Sequence, residues 1–216
     1  DHDASVQYAI NYSKVQYFMD QMEKPVVAAL NGIALGGGME LAIRCHGIVA
    51  IKTTRFQFPE ISLGLLPAIG GCAVPYRKWP QGADIFNDMI ILGKPLKASQ
   101  AADIGMIDIL VDDYDAMIKA AHALVTDLEG RLPRIADDPV TIQEPVMPDA
   151  ATLAKHMLSA EAVAVTIKTI KNCAAAGSFA DALESCNQGF GKICCTDAAR
   201  EGISAFLEKR KPVFKK

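Results

Sequence analysis

The chain has 216 residues, of which 50% are hydrophobic and 22% are charged, and its formal net charge at pH 7 is −3. This composition is typical of a globular domain and excludes a largely disordered chain. The acidic balance argues against nucleic acid as the main partner, because binding to phosphates needs a surplus of basic side chains. No apolar run approaches the roughly 20 residues of a membrane span. The six cysteines show no metal-ligand spacing, so we expect a cytoplasmic protein with reduced thiols and no metal site.

The first part of the chain predicts alternating helices and strands. Apolar residues at near-helical spacing predict an amphipathic helix over 8–22, and the apolar run 24–30 predicts a buried strand. Three consecutive glycines, 36–38, precede a predicted helix over 39–46 and a strand over 48–51. Strand, glycine turn, helix and strand in this order predict a βαβ unit, and therefore a buried parallel sheet.

Further helices and strands follow this unit, before and after a proline-rich segment. A strand that breaks at Pro59 is predicted first, and the later helices and strands are predicted over 84–92, 97–105, 107–111, 114–128, 150–172, 178–189 and 197–209. Four prolines between 133 and 148 exclude a helix or central strand there. We therefore divide the chain into an α/β part (1–129), a proline-rich connector (130–149) and a helical region (150–216).

The three glycines Gly36, Gly37 and Gly38 are the most informative feature. Consecutive glycines at a strand-to-helix junction cost conformational entropy, which suggests that the backbone itself is needed there. Without Cβ atoms, the N–H groups at the start of a helix can approach a phosphate or an oxygen that gains negative charge. The spacing matches neither GxGxxG nor the GK[ST] of a Walker A loop. A tight packing turn is the alternative interpretation.

Two isolated glutamates, Glu40 and Glu60, fall at the ends of predicted buried elements, next to the possible anion-stabilising site. Glu40 falls in the first turn of the predicted helix, and Glu60 follows Pro59 at the end of a predicted strand. Glu40 could simply be a first-turn carboxylate that the helix dipole stabilises, or it could pair with Arg44 four residues later. Glu60 could be a solvated acid in a turn. Two buried carboxyl groups beside an anion-stabilising site could instead hold one water and exchange protons with a substrate.

Two segments resemble the sequence signatures of the crotonase (enoyl-CoA hydratase/isomerase) superfamily. They are Lys24–His46, which contains the three glycines and Glu40, and Phe58–Pro67, which contains Glu60. The tail Glu201–Lys211 is similar to the C-terminal helix of that family. The resemblance implies an α/β fold with a spiral core of ββα units, and a C-terminal helical region that builds homotrimers or hexamers.

The resemblance also implies roles for the site residues. The N–H of Gly37 would form half of an oxyanion hole for the thioester carbonyl of an acyl-CoA, with Gly36 and Gly38 beside it. Glu60 would move the proton at C2, and Glu40 would orient and activate a water for addition across the 2,3-double bond. The expected reaction is therefore that of an enoyl-CoA hydratase, a lyase, with no cofactor other than the coenzyme A of the substrate.

Further residues are expected to bind substrate. Pro67 and Ala68 fall near the acyl pocket of the family, where Ala68 replaces a glycine that relatives often have. Phe190, Phe206 and Lys209 align with residues that grip the adenosine end of coenzyme A. Aromatic side chains on helix faces are more often part of a core, and basic residues in a tail are more often solvated. The coenzyme A role is thus only one of two interpretations of these three residues.

The family pattern also leaves alternatives open. The resemblance includes no counterpart of the ββα units that supply the second oxyanion N–H, so we expect the spiral core to be incomplete at its N-terminal side. An enoyl-CoA isomerase, an acyl-CoA hydrolase and a non-catalytic CoA-binding subunit remain alternatives to the hydratase. The chain could also be part of a larger multifunctional β-oxidation protein.

Overall fold

The computed structural model describes residues 1–214, so the last two lysines of the basic tail lie outside the described residues. The helices are α1 (His2–Asp20), α2 (Gly37–Arg44), α3 (Val74–Lys78), α4 (Ala83–Leu92), α5 (Ala98–Asp103), α6 (Tyr114–Leu128), α7 (Ala150–His156), α8 (Ala160–Ala175), α9 (Phe179–Cys194) and α10 (Asp197–Leu207). The strands are β1 (Val27–Leu30), β2 (Ile33–Leu35), β3 (Gly47–Ile51), β4 (Arg55–Gln57), β5 (Leu96–Lys97) and β6 (Ile109–Val111). No helix within residues 1–214 is long and apolar enough to cross a membrane.

The strands form two small sheets. One has the order β1-β3-β6 and is entirely parallel, as the βαβ pattern predicts. The other has the order β2-β4-β5, in which β2 and β4 are parallel and β5 is antiparallel. Strands β1 and β2 follow each other directly, enter different sheets and are followed by α2. Strands β3 and β4 repeat this order and are followed, after a 3₁₀ turn, by α3. The expected α/β architecture with ββα units is therefore present.

One hydrophobic core joins the α/β part to the helical region. Its fully buried side chains include Phe56, Phe58 and Tyr76 from the α/β part and Ile170 from α8. The connector contains neither a helix nor a strand from 131 to 149, and its apolar side chains pack against the same core. A continuous core of this kind holds the helical region at a fixed position relative to the sheets.

Several predicted boundaries are wrong. The single helix predicted over 150–172 is two helices, because Met157 adopts a left-handed conformation with φ 52° and ends α7. Helix α2 begins at Gly37, not at Met39, so two of the three glycines lie inside its first turn. The strand predicted up to Glu60 ends at Gln57, and Glu60 begins a short 3₁₀ turn, Glu60–Leu63.

The helices at 8–22 and 97–105 also differ from the predictions. Helix α1 begins at His2, where the side chain of Asp1 caps it by accepting from the N–H of Ala4 at 2.8 Å. Residues Leu96–Lys97 form the strand β5 against β4 before α5 begins. Propensity alone does not distinguish such a short edge strand from the first turn of the helix that follows it.

Candidate active site

The start of α2 is a turn of three glycines, of which the last two are exposed. Gly36 links β2 to α2 with φ 50° and ψ −124°, a conformation that favours glycine. Its N–H donates to Gln57 O at 3.0 Å, and its carbonyl accepts from Glu40 N at 2.9 Å. Gly37 and Gly38 are exposed, and the first N–H groups of a helix have no acceptor within that helix. These donors, together with the helix dipole, can stabilise negative charge on a ligand.

Glu60 lies against this turn because of the sheet register. Strands β2 and β4 are parallel with Leu35 opposite Gln57, so the residues that follow each strand meet at the same edge. A Cβ atom on Gly36 would lie only 2.6 Å from Glu60 Oε1. Glu60 Oε2 is buried and has no hydrogen-bond partner within residues 1–214. One oxygen of this carboxyl group is therefore available for a water or a substrate.

Glu40 is buried in the first turn of α2. Only 2% of its surface is exposed. Its Oε1 accepts hydrogen bonds from the N–H groups of Ile69 at 2.7 Å and of Gly71 at 2.8 Å. It does not pair with Arg44, whose guanidinium instead binds Asp20 at the end of α1. The interpretation of Glu40 as a partner of Arg44 is therefore wrong, and its carboxyl group is fixed by backbone donors.

Both carboxyl groups favour their protonated form more than an exposed glutamate does. Burial raises the pKa of Glu40 well above its usual value, and the negative charge of nearby Glu60 raises that pKa further, against the two N–H bonds that lower it. Burial also raises the pKa of Glu60, to about 7. The pair can thus hold a proton at neutral pH, which a proton-transfer site requires.

The turn 67–71 supplies the two backbone donors to Glu40. Cys186 on α9 contacts the carbonyl of Pro67 through its Sγ at 3.4 Å, and a Cβ on Gly71 would lie 2.4 Å from that of Pro67. Pro67 is buried and Ala68 is half-buried against the core. The Ile69 and Gly71 donors are 29 and 31 residues from Glu40, and no local motif could have identified them.

The residues expected at coenzyme A are dispersed. Phe190 is buried, and its ring stacks with that of Tyr8 on α1 at a centroid distance of 6.2 Å. Phe206 is 67% exposed on α10, and Lys209 is exposed just beyond that helix with φ 55°. The structure thus places Phe190 within a helix contact and leaves the other two at the surface. Their role at coenzyme A stays a prediction.

Comparison with known proteins identifies the family of the chain. The family model described as "Enoyl-CoA hydratase/isomerase" matches residues 2–138. The crotonyl-CoA hydratase of Syntrophomonas wolfei is 30% identical over 93% of this chain, and the fatty acid oxidation complex subunit alpha of Colwellia psychrerythraea is 30% identical over 95% of it. The chain spans 65% and 30% of the lengths of these two proteins.

The solved structures give the same result for the fold. An enoyl-CoA hydratase from Mycobacterium avium superposes with a TM-score of 0.63 and 26% identity, and the match covers 98% of this chain and 70% of that one. The fold is therefore of the crotonase type. The chain belongs to the enoyl-CoA hydratase/isomerase family.

Proposed function

We propose that this chain carries the hydration chemistry of an enoyl-CoA hydratase, which adds water across the 2,3-double bond of an acyl-CoA thioester. The observation that carries the proposal is that Glu40 and Glu60 both lie at the glycine turn, Glu40 in the first turn of α2 and Glu60 against Gly36. Each is largely buried, each has a raised pKa, and one oxygen of Glu60 has no partner within the described chain. The hydratase name of the relative from Syntrophomonas wolfei supports the same reaction.

In this proposal the thioester carbonyl oxygen accepts a hydrogen bond from the N–H of Gly37. When Glu60 holds the proton of the pair, its charge no longer raises the pKa of Glu40, and the ionised Glu40, oriented by its two backbone donors, takes a proton from a water whose oxygen bonds to C3. The electrons of the double bond move into the thioester, and the enolate oxygen is stabilised by the helix start. Glu60 then delivers its proton to C2. The pair has gained one proton from water and lost one to the substrate, and transfer of a proton from Glu40 to Glu60 restores the starting state.

The helical region has a proposed role in binding and assembly. Phe206 and Lys209 would contact the adenosine part of coenzyme A, and Phe190 would support that surface from α9. Ile203 and Leu207 are exposed apolar residues on α10, the latter at 73%, and they favour burial between subunits of a homotrimer or hexamer. Light scattering on the purified chain measures this assembly directly.

The substitution Glu60→Gln tests the reaction. Because proton transfer by a positioned side chain usually contributes 10²–10⁴-fold, we expect kcat for crotonyl-CoA hydration to fall by at least about 100-fold. The measurement is the loss of the enone absorbance. Glu129→Gln, at an exposed position just after α6, is the matched control and should retain the rate.

Other outcomes distinguish the remaining functions. A rate within tenfold of the unsubstituted chain would contradict the role of Glu60. Release of free thiol from the acyl-CoA would indicate a hydrolase, and conversion of a 3-enoyl to a 2-enoyl thioester would indicate an isomerase. Binding of acyl-CoA without turnover would indicate a non-catalytic subunit.

A further inference from the structure

The side chain of Ile69 lies beside the glycine turn at which the thioester carbonyl is proposed to bind. Its Cδ1 lies 3.6 Å from the position that a Cβ atom would occupy on Gly37, which is ordinary van der Waals distance. Gly37 is exposed and Ile69 is half-buried, so the contact borders the open side of the site. A branched aliphatic side chain therefore stands directly beside the proposed oxyanion donor.

The backbone of the same residue holds the water-activating group. Ile69 N–H donates to Glu40 Oε1 at 2.7 Å. One residue thus contacts both ends of the proposed reaction, with its side chain at the carbonyl-binding glycine and its amide at the carboxyl group that acts at C3. The acyl atom between these two points is C2.

Ile69 is held in place from several directions. Glu40 binds the N–H groups on either side of Gly70, and Gly70 itself has φ 109° with the Arg44 side chain close to it. The Sγ atom of Cys186 contacts the carbonyl oxygen of Pro67 at 3.4 Å. Three contacts therefore hold the backbone of this turn against movement away from the site.

Its side chain also differs from its neighbours in its packing. Leu66 is buried in the hydrophobic core and Ala68 packs against it, whereas Ile69 belongs to neither set. Ile69 is half-buried, and its Cδ1 lies beside the Cβ position of Gly37 at the start of α2. The wall that it forms is apolar and offers no hydrogen bond to an acyl substituent.

We propose that Ile69 determines specificity by occupying the space beside C2, so that the chain takes 2-enoyl-CoA thioesters unbranched at C2 and rejects those with a C2 methyl group. This inference rests on the proposed function. A methyl group is sufficient for such discrimination, since one methyl or methylene group in an apolar pocket changes kcat/KM by about 10- to 200-fold.

The test compares kcat/KM for crotonyl-CoA and 2-methylcrotonyl-CoA in the unsubstituted chain and in Ile69→Ala. We expect the substitution to raise the ratio of the methylated to the unmethylated substrate by at least about tenfold. Ile69→Val, which lacks only the Cδ1 methyl, should raise it by less. Both variants keep the amide that binds Glu40. Ile118→Ala removes the same atoms from an exposed position on α6 and should leave the ratio unchanged.

Failure of this inference is separate from failure of the proposed function. If Ile69→Ala hydrates crotonyl-CoA but keeps the original substrate ratio within twofold, the specificity role is overturned and the hydratase stands. If the unsubstituted chain hydrates neither substrate, the proposed reaction fails. The dissociation constants of butyryl-CoA and 2-methylbutyryl-CoA then decide the role of Ile69, which is overturned if the substitution leaves their ratio unchanged.

Discussion

Helix α2 and the helices of the C-terminal region begin in different ways. The side chain of the residue before each of α7, α8, α9 and α10 caps that helix. These residues are Asp149, Ser159, Ser178 and Thr196, respectively. Helix α2 begins after Gly36, which has no side chain to accept from its first N–H groups. Each C-terminal helix thus has a side-chain acceptor for one of its first N–H groups, whereas the start of α2 has no side-chain acceptor within residues 1–214. The unpaired N–H groups of a helix start are used for capping in the C-terminal region, and in α2 they are available for the chemistry proposed above.

The uncapped helix is secured at its other end. The ammonium group of Lys78 donates to the carbonyls of Ile43 at 3.0 Å and Cys45 at 2.8 Å, at the end of α2. The Arg44 side chain, which is fully buried, pairs with Asp20 on α1. Two cations at the C-terminal end also suit the helix dipole. Helix α2 is therefore positioned from its far end, and its glycine turn needs no cap of its own.

The largest expected effect comes from Gly36→Ala. The φ of 50° strains any other residue, and the added Cβ would collide with Glu60 Oε1 at 2.6 Å. We expect kcat/KM for crotonyl-CoA hydration to fall by about 10³-fold, equivalent to about 4 kcal/mol. Gly32→Ala is the control, because Gly32 also has a positive φ of 99° but its Cβ would meet no atom within 4 Å. Equal losses in both variants would show that backbone strain alone is responsible.

Lys78→Met removes the buried cation at the other end of α2. Burial lowers the pKa of Lys78 to about 8, against the opposing influence of Asp108, Cys45 and Asp20. Between pH 8 and the usual lysine pKa of about 10.4, the unfolded chain binds more protons, so the free energy of unfolding should rise with pH by about 3 kcal/mol through this group.

Chemical denaturation at about pH 7.5 and pH 10 measures this contribution. The Lys78→Met variant should lack that rise, whereas the exposed-lysine variant Lys168→Met on α8 should keep it. Parallel pH dependence in the Lys78 variant and the unsubstituted chain would contradict the assignment.

The smallest effect is expected from Ser178→Ala at the start of α9. The Ser178 hydroxyl accepts from Asp181 N at 3.0 Å, and loss of such a cap usually costs about 1 kcal/mol. Thermal unfolding should therefore shift by a few degrees, while kcat/KM stays unchanged. Ser178→Thr retains the cap and should restore the melting temperature. A fall in activity would mean that α9 affects the glycine turn more strongly than its packing suggests.

The sequence predicted the local elements of the site better than their long-range partners. The glycine turn and Glu40 fall at a strand–helix junction as expected, because both are set by a short stretch of chain. Glu60 lies near them because β2 and β4 pair in parallel, and that register joins segments 22 residues apart. The donors from the turn 67–71 depend on tertiary packing, and no spacing rule identifies them.

The failed helix prediction has a similar cause. The apolar pattern continues through 150–172, but Leu158 N donates to Leu153 O and Ser159 caps a new helix, which turns the chain at Met157. Serine is a weak helix former and a strong N-cap, so the choice between the two roles depends on the packing of α8 in the core. Local propensity alone could not make that choice.

The two backbone bonds to Glu40 have a spectroscopic consequence. An amide proton that donates to a carboxylate is deshielded more strongly than one that donates to a neutral carboxyl group. The amide resonances of Ile69 and Gly71 share the oxygen Oε1 of Glu40 as their acceptor, so both move together as that group gains or loses a proton. The protein thus contains an internal indicator for the charge of its most deeply buried acid, readable in a nitrogen–proton correlation spectrum without any label on the side chain.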